Sequence, residues 1–414
     1  MAAWHTVFGI PPHRQSSDRI LFHSLRPMSK PPSSNVLRTV GLFAGIAGIE
    51  RGLAAHGHHT TLLSESDPAA RHVIQSQFPD CPIGHDVRKL KRLPTCDLVV
   101  AGFPCQDLSQ CGKTAGIDGL NSSLVAEVFR LLDTRRQPAW VVLENVPFML
   151  RLDGGRAMAL IASELVRLGY RWAYRTVDAR AFGLPQRRLR VVIVASRDDD
   201  PRQVLFADDQ PEPKQPQASD AYGFYWTEGL TGVGWGVNCV PTLKGGSGLG
   251  IPSPPAVWIP HERRIGTVHI ADAERLQGFP EGWTEPATQV DHKVGARWRL
   301  IGNAVCVPVA AWLGRRLLAP GPCRCETAES VPTGGPWPQA AYGGADGTFA
   351  VRASTWPLAR KMPNLLNFLK HPLRPLSPRA TAGFLSRAKR SSLRFAPGFL
   401  ADVNYHLKTC EHSK

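Results

Sequence analysis

The sequence predicts an α/β fold: an open, mostly parallel sheet with a smaller domain inserted after it. Three observations predict it. Short, continuous apolar runs such as DLVVAGF and WVVLENV have the pattern of strands covered on both faces. They alternate with helical patterns over about 160 residues from Arg38, as βα units of a layered sheet do. After Ser196 the texture changes, and residues 198–262 are rich in Asp, Pro, Gly and Gln with no clear periodicity. A chain of 414 residues that is 43% apolar can bury a substantial core, which excludes wholesale disorder.

Taken in order, residues 1–35 read as a flexible leader rich in Pro, Ser, Arg and His, with Met28 as a second possible start. Residues 36–197 form the first domain. There LRTVGLF is a strand and GIAGIERGLAAHG a helix, TTLLSE a second strand and PAARHVIQSQF a second helix. SSLVAEVFRLLDTRR is an amphipathic helix between the two apolar strands. GGRAMALIASELVRLGY is another, followed by the strands WAYRTVDA and RVVIVAS. Residues 198–268 are the insert, and 269–319 return to the first domain. Residues 320–350, rich in Gly, Pro and Ala, read as a linker. Residues 351–414 are a basic extension in which twelve Lys and Arg oppose two acids. Its apolar clusters LLNFL and GFLADV favour docking on the rest of the chain.

Lys and Arg total 49 against 34 Asp and Glu, a formal charge of +15. That balance favours a polyanionic partner, nucleic acid before anionic membrane. The longest apolar runs, such as Val191 to Ala195, are strand-sized and far too short to span a bilayer. The N-terminus lacks a secretory pattern, and nine scattered cysteines suit reduced thiols in the cytoplasm. Cys323 and Cys325 with Cys410 and His412 depart from zinc-ligand spacing, so no metal is expected.

The candidate site residues follow the strands. Phe43-Ala-Gly45-Ile-Ala-Gly48 leaves the first strand and opens a helix, where small residues allow close approach of a ligand. Glu65 lies 20 residues beyond Gly45 at the end of the second strand, the place of an acid that grips ribose hydroxyls. Asp86 follows the next segment. Cys105 leaves the strand DLVVAGF inside FPCQ and enters a Gly-rich loop. On local grounds it is equally an inert core thiol or a nucleophile beneath a lid. Glu144 ends the strand WVVLENV at the same sheet edge, where burial would raise its pKa; a capping acid is the alternative. Arg188 and Arg190 share a face before the strand RVVIVAS and suit base edges or phosphates, or form a solvated turn.

In this order, FAGIAG, FPCQDLS, ENV, QRRLR, ERLQGFP and IGNAV resemble six motifs of the DNA (cytosine-5) methyltransferase family, prokaryotic type, over about residues 38–318. One departure is Ala47, where the common form of the loop has Gly.

The resemblance implies a Rossmann-like methyltransferase sheet, S-adenosylmethionine as cofactor, and duplex DNA as partner. It implies that Cys105 attacks C6 of a flipped cytosine, that Glu144 holds the N3/N4 edge and that Arg188 sits at O2. Phe43 would stack on adenine, Glu65 bind ribose, Asp86 the adenine amino group and Asn303 the methionine end. Gly45, Gly48, Val87, Pro104 and Leu124 would complete the cofactor site. Gln106, Ser109, Asn145, Val146, Gln186 and Arg190 would line the substrate side. Residues 198–268 would be the target-recognition region, with a cognate restriction endonuclease as possible partner or an orphan epigenetic role, in a monomeric, cytoplasmic protein of bacterial or phage-like type. The rival readings are a tRNA cytosine-5 methyltransferase, a catalytically silent DNA-binding regulator, and a nicotinamide oxidoreductase, which shares the Gly-loop and Glu65 but gives no reason for FPCQ or QRRLR. The basic extension is expected to add sequence-blind attraction to phosphates, so that its deletion leaves the methylated sequence unchanged.

Overall fold

The computed structural model describes residues 36–104, 124–214, 218–246, 252–293, 295–324, 326–331 and 335–412. The leader 1–35, Cys105, Gln106, Ser109 and the rest of the Gly-rich loop after Pro104 lie outside the described residues.

The chain begins with β1 (Arg38–Leu42), α1 (Gly48–Ala54), β2 (His59–Ser64), α2 (Pro68–Gln77) and β3 (Ile83–Gly84). β4 (Leu98–Ala101), α3 (Leu124–Leu132) and β5 (Trp140–Asn145) continue the alternation. α4 (Arg156–Arg167) then leads to β6 (Arg171–Asp178), β7 (Gln186–Arg187) and β8 (Leu189–Ser196). The local chemistry explains these elements. All four residues of β4 are buried, as a strand covered on both faces requires. Asp67 caps α2 by accepting from the Ala69 amide at 2.9 Å, and Pro68 fills the first helical position. α3 buries Val125, Val128, Phe129 and Leu132 on one stripe while Glu127 and Arg130 pair on the other face at 2.7 Å.

The insert holds α5 (Arg202–Leu205), β9 (Tyr222–Phe224), β10 (Gly236–Val237), β11 (Val240–Pro241), β12 (Ala256–Ile259) and β13 (Arg264–Thr267). The chain returns through α6 (Ile270–Leu276), α7 (Gly295–Asn303) and α8 (Val307–Leu318). It continues with β14 (Thr327–Ser330), β15 (Ala340–Gly344), β16 (Gly347–Val351), α9 (Leu365–Phe368), β17 (Arg374–Pro375), α10 (Pro378–Arg390) and α11 (Phe399–His412).

The main sheet has the order β14-β16-β15-β6-β8-β5-β4-β1-β2-β3. The run β3-β2-β1-β4-β5 is parallel. From β5 outward every pairing is antiparallel, so half of the sheet departs from the mostly parallel expectation. Only a single 3-10 turn at Ala179–Ala181 and the short β7 separate β6 from β8, too little for the crossover that a parallel pairing needs.

Residues 320–350 are not a linker. They contain β14, β15 and part of β16, and β15 pairs with β6 to extend the main sheet. Nor is the basic extension an appendage. β17 joins β13 in a second sheet of order β10-β9-β12-β13-β17, inside the insert. α10 and α11 supply that sheet's core: the Phe399 ring lies 5.0 Å from Phe224 and 5.2 Å from Trp258. Asp402 accepts from Trp258 Nε1 at 3.0 Å and from Arg263 Nε at 2.8 Å. Deleting 351–414 would therefore open the core of the insert, and the expected separation of tail from insert does not hold. The signal was present in α10: Thr381, Phe384, Leu385 and Ala388 fall at i, i+3, i+4 and i+7 and are all buried, beneath the basic residues that dominate its composition.

Candidate active site

Parallel strands bring their carboxyl ends to one edge. Phe43–Gly48 after β1, Glu65 after β2, Asp86 after β3, Pro104 after β4 and Glu144 on β5 therefore share that edge. β8 runs the other way, with Val191 opposite Asn145, so its amino end and Arg190 arrive at the same edge.

The turn after β1 is held open in a left-handed shape. Phe43, Gly45 and Ala47 have φ of 55°, 56° and 62°. The Gly45 amide donates to Glu65 Oε2 at 2.7 Å, and the Asp67 amide donates to Oε1 at 2.8 Å. Glu65 thus clamps the turn to the start of α2. A Cβ at Gly45 would meet nothing within 4 Å, so the turn faces open space beside this carboxylate. Gly48 serves packing instead: its Cβ would lie 2.5 Å from the Val305 carbonyl oxygen. Ala47 is a buried alanine in a backbone region that favours glycine, which explains why Gly is the common residue there.

Asp86 accepts from the Arg88 amide at 3.0 Å and forms an ion pair with its guanidinium at 2.9 Å. That guanidinium holds the Asp86 carboxyl below the usual range. Val87 is buried, Pro104 exposed and Leu124 half-buried at the start of α3. Asn303 is exposed at the end of α7, close to Gly245 of the insert.

Glu144 and the two arginines divide differently from the sequence expectation. Arg190 Nε lies 3.0 Å from Glu144 Oε1, both side chains nearly buried. Burial pushes the Glu144 carboxyl above the usual range, opposed by Arg190 and Arg188. Arg188 is only 1% exposed, and its guanidinium donates to the carbonyls of Leu243, Gly302 and Ala304 at 3.0, 3.1 and 2.7 Å. Burial pulls its pKa down to about 10. Its hydrogen bonds join the insert to α7, while Arg190 is the cation that faces the carboxylate.

Asn145 is likewise spent on architecture. Its Nδ2 donates to the Phe103 carbonyl at 3.1 Å and its Oδ1 accepts from Val146 at 2.8 Å. This fixes the Phe103-Pro104 turn, from which the chain runs into Cys105, beside the end of β5. Val146 is half-buried and starts the next turn.

Residues 37–229 match the family model of the C-5 cytosine-specific DNA methylases. The Type II methyltransferase M2.BsuMI of Bacillus subtilis (strain 168) is 50% identical over 365 residues, covering 86% of this chain and 94% of that protein. The chain belongs to the C-5 cytosine-specific DNA methylase family. It is a DNA (cytosine-5) methyltransferase. The Type II methyltransferase M.DsaV of Dactylococcopsis salina is 28% identical over 319 residues, covering 68% of this chain and 86% of its own length. The crystal structure of S. pombe Dnmt2 methyltransferase is similar with a TM-score of 0.48 at 16% identity, covering 68% of this chain and 98% of that one.

In this methylase the motifs QRRLR, ERLQGFP and IGNAV meet in one buried network that motif order alone did not reveal. Gln186 is fully buried; its Nε2 donates to the Leu276 carbonyl at 2.8 Å, and its Oε1 accepts from the Leu243 amide at 2.9 Å. Gln277 Nε2 donates to the Ile301 carbonyl at 2.8 Å, and Cys306 Sγ lies 2.8 Å from Gln277 Oε1. Glu274 accepts from the Gly282 amide at 2.6 Å and pairs with Arg297 at 2.9 Å. Buried polar groups must be satisfied, so amides and carboxylates in otherwise apolar segments were the available clue.

Proposed function

We propose that this methylase moves the methyl group of S-adenosylmethionine to C5 of a cytosine in duplex DNA, with Cys105 bonded transiently to C6. The observation that carries the reading is the Glu144–Arg190 pair at the sheet edge, next to the Phe103-Pro104 turn that leads into Cys105.

The cofactor fits the residues present. The open turn at Gly45 admits a nucleoside, and Glu65, already fixed by two amides, is placed to accept from ribose hydroxyls. Phe43 is the stacking partner and Asp86 the acceptor for the adenine amino group; Asn303 stands toward the methionine end. When bound, S-adenosylmethionine supplies an electrophilic methyl group.

Cytosine C5 is a weak nucleophile, and the chain's residues change that. The Cys105 thiolate adds to C6, forming the S–C6 bond and placing electron density on C5. Glu144, kept protonated more readily by burial, donates to N3 and accepts from the N4 amino group, which draws electrons from the ring. Arg190 orients Glu144 and donates to O2, the role first assigned to Arg188. After C5 carries the methyl group, a base removes the C5 proton, the C5–C6 double bond returns, and the thiolate leaves. Burial raises the thiols of Cys81, Cys96, Cys239 and Cys306 to about 11, the wrong direction for this task. The base is inaccessible inside a duplex, so the cytosine is flipped out.

The relatives named above bear the name Type II methyltransferase, which supports modification of one short sequence, paired with a cognate endonuclease; a cytoplasmic monomer is the form we propose for it. The test is duplex DNA carrying 5-fluorocytosine with S-adenosylmethionine. Wild-type protein should form a covalent complex, because fluorine cannot leave C5 as a proton does. Cys105→Ser should form none while still binding DNA. Normal turnover by that variant, or methylation of tRNA in place of DNA, would refute the reading.

A further inference from the structure

The C-terminal segment reaches the catalytic edge. A groove of about 330 Å3 is walled by Arg187, by the Gly232–Trp235 turn of the insert and by the Leu393–Ala396 loop that joins α10 to α11. Arg187 belongs to β7, three residues before the Arg190 that faces Glu144, and β7 pairs with β11 of the insert. The groove therefore lies within three residues of Arg190 along the chain, between the insert turn and a loop roughly 160 residues beyond it.

Its walls are tied to the second sheet, and no described carboxylate neutralises its cations. The Phe395 ring packs 5.6 Å from Phe399, which anchors the loop to the buried core of the second sheet. Arg387 of α10 donates to the Glu228 and Trp226 carbonyls at 2.9 and 2.7 Å, tying α10 to the chain that leads into the Gly232 turn. Lys389, Arg390 and Arg394 are exposed, and no described carboxylate pairs with them or with Arg187. The acid nearest in sequence to the turn, Glu228, is taken by Lys244. A basic groove whose wall residue Arg187 lies three positions from Arg190, beside a site that acts on a base, fits a nucleic-acid backbone.

We propose that this groove is a duplex-DNA contact surface, with Arg394 and Arg187 bound to phosphates beside the cytosine being modified. The inference rests on the DNA-methyltransferase reading and adds the C-terminal loop to the DNA-binding face. It also gives the basic extension a defined place rather than a diffuse attraction.

Each phosphate contact contributes about 0.9 to the slope of log affinity against log salt. Full-length protein is titrated with a fluorescent duplex of mixed sequence over a range of salt. Arg394→Ala should lower the slope by about 0.9, and the double variant Arg187→Ala, Arg394→Ala by roughly twice that. Arg394→Glu should weaken binding further at every salt concentration. Arg379→Ala, an exposed change in the first turn of α10, should leave the slope unchanged. Calorimetric binding of S-adenosylmethionine checks that each variant is folded. Wild-type affinity and slope in Arg394→Ala and Arg394→Glu would overturn the proposal even if the wild-type protein methylates DNA. Failure of the wild type to methylate DNA at all would instead sink the functional reading.

Discussion

Glu50 allows a sharp test of the physics beneath the Phe43–Gly48 turn. It sits in the first turn of α1 with 1% exposure, pressed against the backbone of β1 at Gly41, and its Oε2 has no partner. Burial pushes its carboxyl from 4.5 up to about 7, with the nearby Glu65 charge adding to the rise. The folded chain therefore holds this proton up to about pH 7, while the unfolded chain releases it near 4.5. Between those values the folded state binds more protons, so stability falls as pH rises. At about 1.4 kcal/mol per tenfold change in acidity, the full rise corresponds to about 3 kcal/mol lost above pH 7. Glu50→Gln keeps the shape and carries no charge at any pH. Urea unfolding of both proteins at about pH 5.5 and about pH 8 should show the variant gaining about 2 kcal/mol over wild type across that interval. A stability difference that stays constant across the interval would refute the claim that this carboxyl is neutral in the folded protein.

Three further outcomes are expected. Arg190→Ala should cut kcat by about a hundredfold or more with little change in urea midpoint, whereas Arg188→Ala should cost about 3–5 kcal/mol of stability, because it removes a donor from three buried carbonyls and leaves Ala304 with only the longer Gln277 contact; steady-state kinetics and denaturation on the same preparations separate the two. Glu65→Ala should weaken S-adenosylmethionine binding by tens-fold or more, about 2–4 kcal/mol by calorimetry, since it removes both the proposed ribose acceptor and the clamp on the Gly45 turn. Deleting residues 351–414 should yield aggregating or partly unfolded protein: Phe384, Leu385 and Phe399 alone bury about 1.5–3 kcal/mol each, together comparable with the stability of a domain. Circular dichroism and sedimentation would show a well-folded, monodisperse truncation if this last reasoning were wrong.

The first half of the sheet and the edge where its candidate residues gather were legible in the sequence because their signals are local. An apolar strand followed by a small-residue turn states its own position, and the spacing of 20 between Gly45 and Glu65 is bridged by a direct hydrogen bond. The division of labour between Arg188 and Arg190 was not legible. Both lie on one face by alternation, and only the packing of α7 decides which guanidinium is buried among carbonyls and which reaches Glu144. Likewise the antiparallel half of the sheet depends on the pairing of β6 with β15, whose residues lie more than 160 positions apart and whose Gly-rich composition resembles a linker.

The insert and the basic extension show how composition can conceal a shared core. Each alone is a poor domain: the insert has short strands and few helices, and the extension has two amphipathic helices with nothing of their own to cover. Small domains bury too little surface to stand alone, so neither piece had a reason to fold from its own sequence. Together they enclose Tyr222, Phe224, Trp258, Phe384 and Phe399, and Asp402 of α11 serves Trp258 and Arg263 of the insert. If the insert reads the target as proposed, target preference and folding are coupled as a result. Exchanging residues 198–268 with those of a relative would carry over half of a core and leave α10 and α11 facing foreign side chains. An exchange that moves residues 198–268 and 363–412 as one unit keeps the packing between the two pieces, Leu365 against Val257 and Ile259 included, and with it the Leu393–Ala396 wall of the basic groove. If the shorter exchange gave a stable enzyme with the donor's full specificity, the two pieces would be independent after all, and their interdigitated aromatic core would have no bearing on which sequence is methylated.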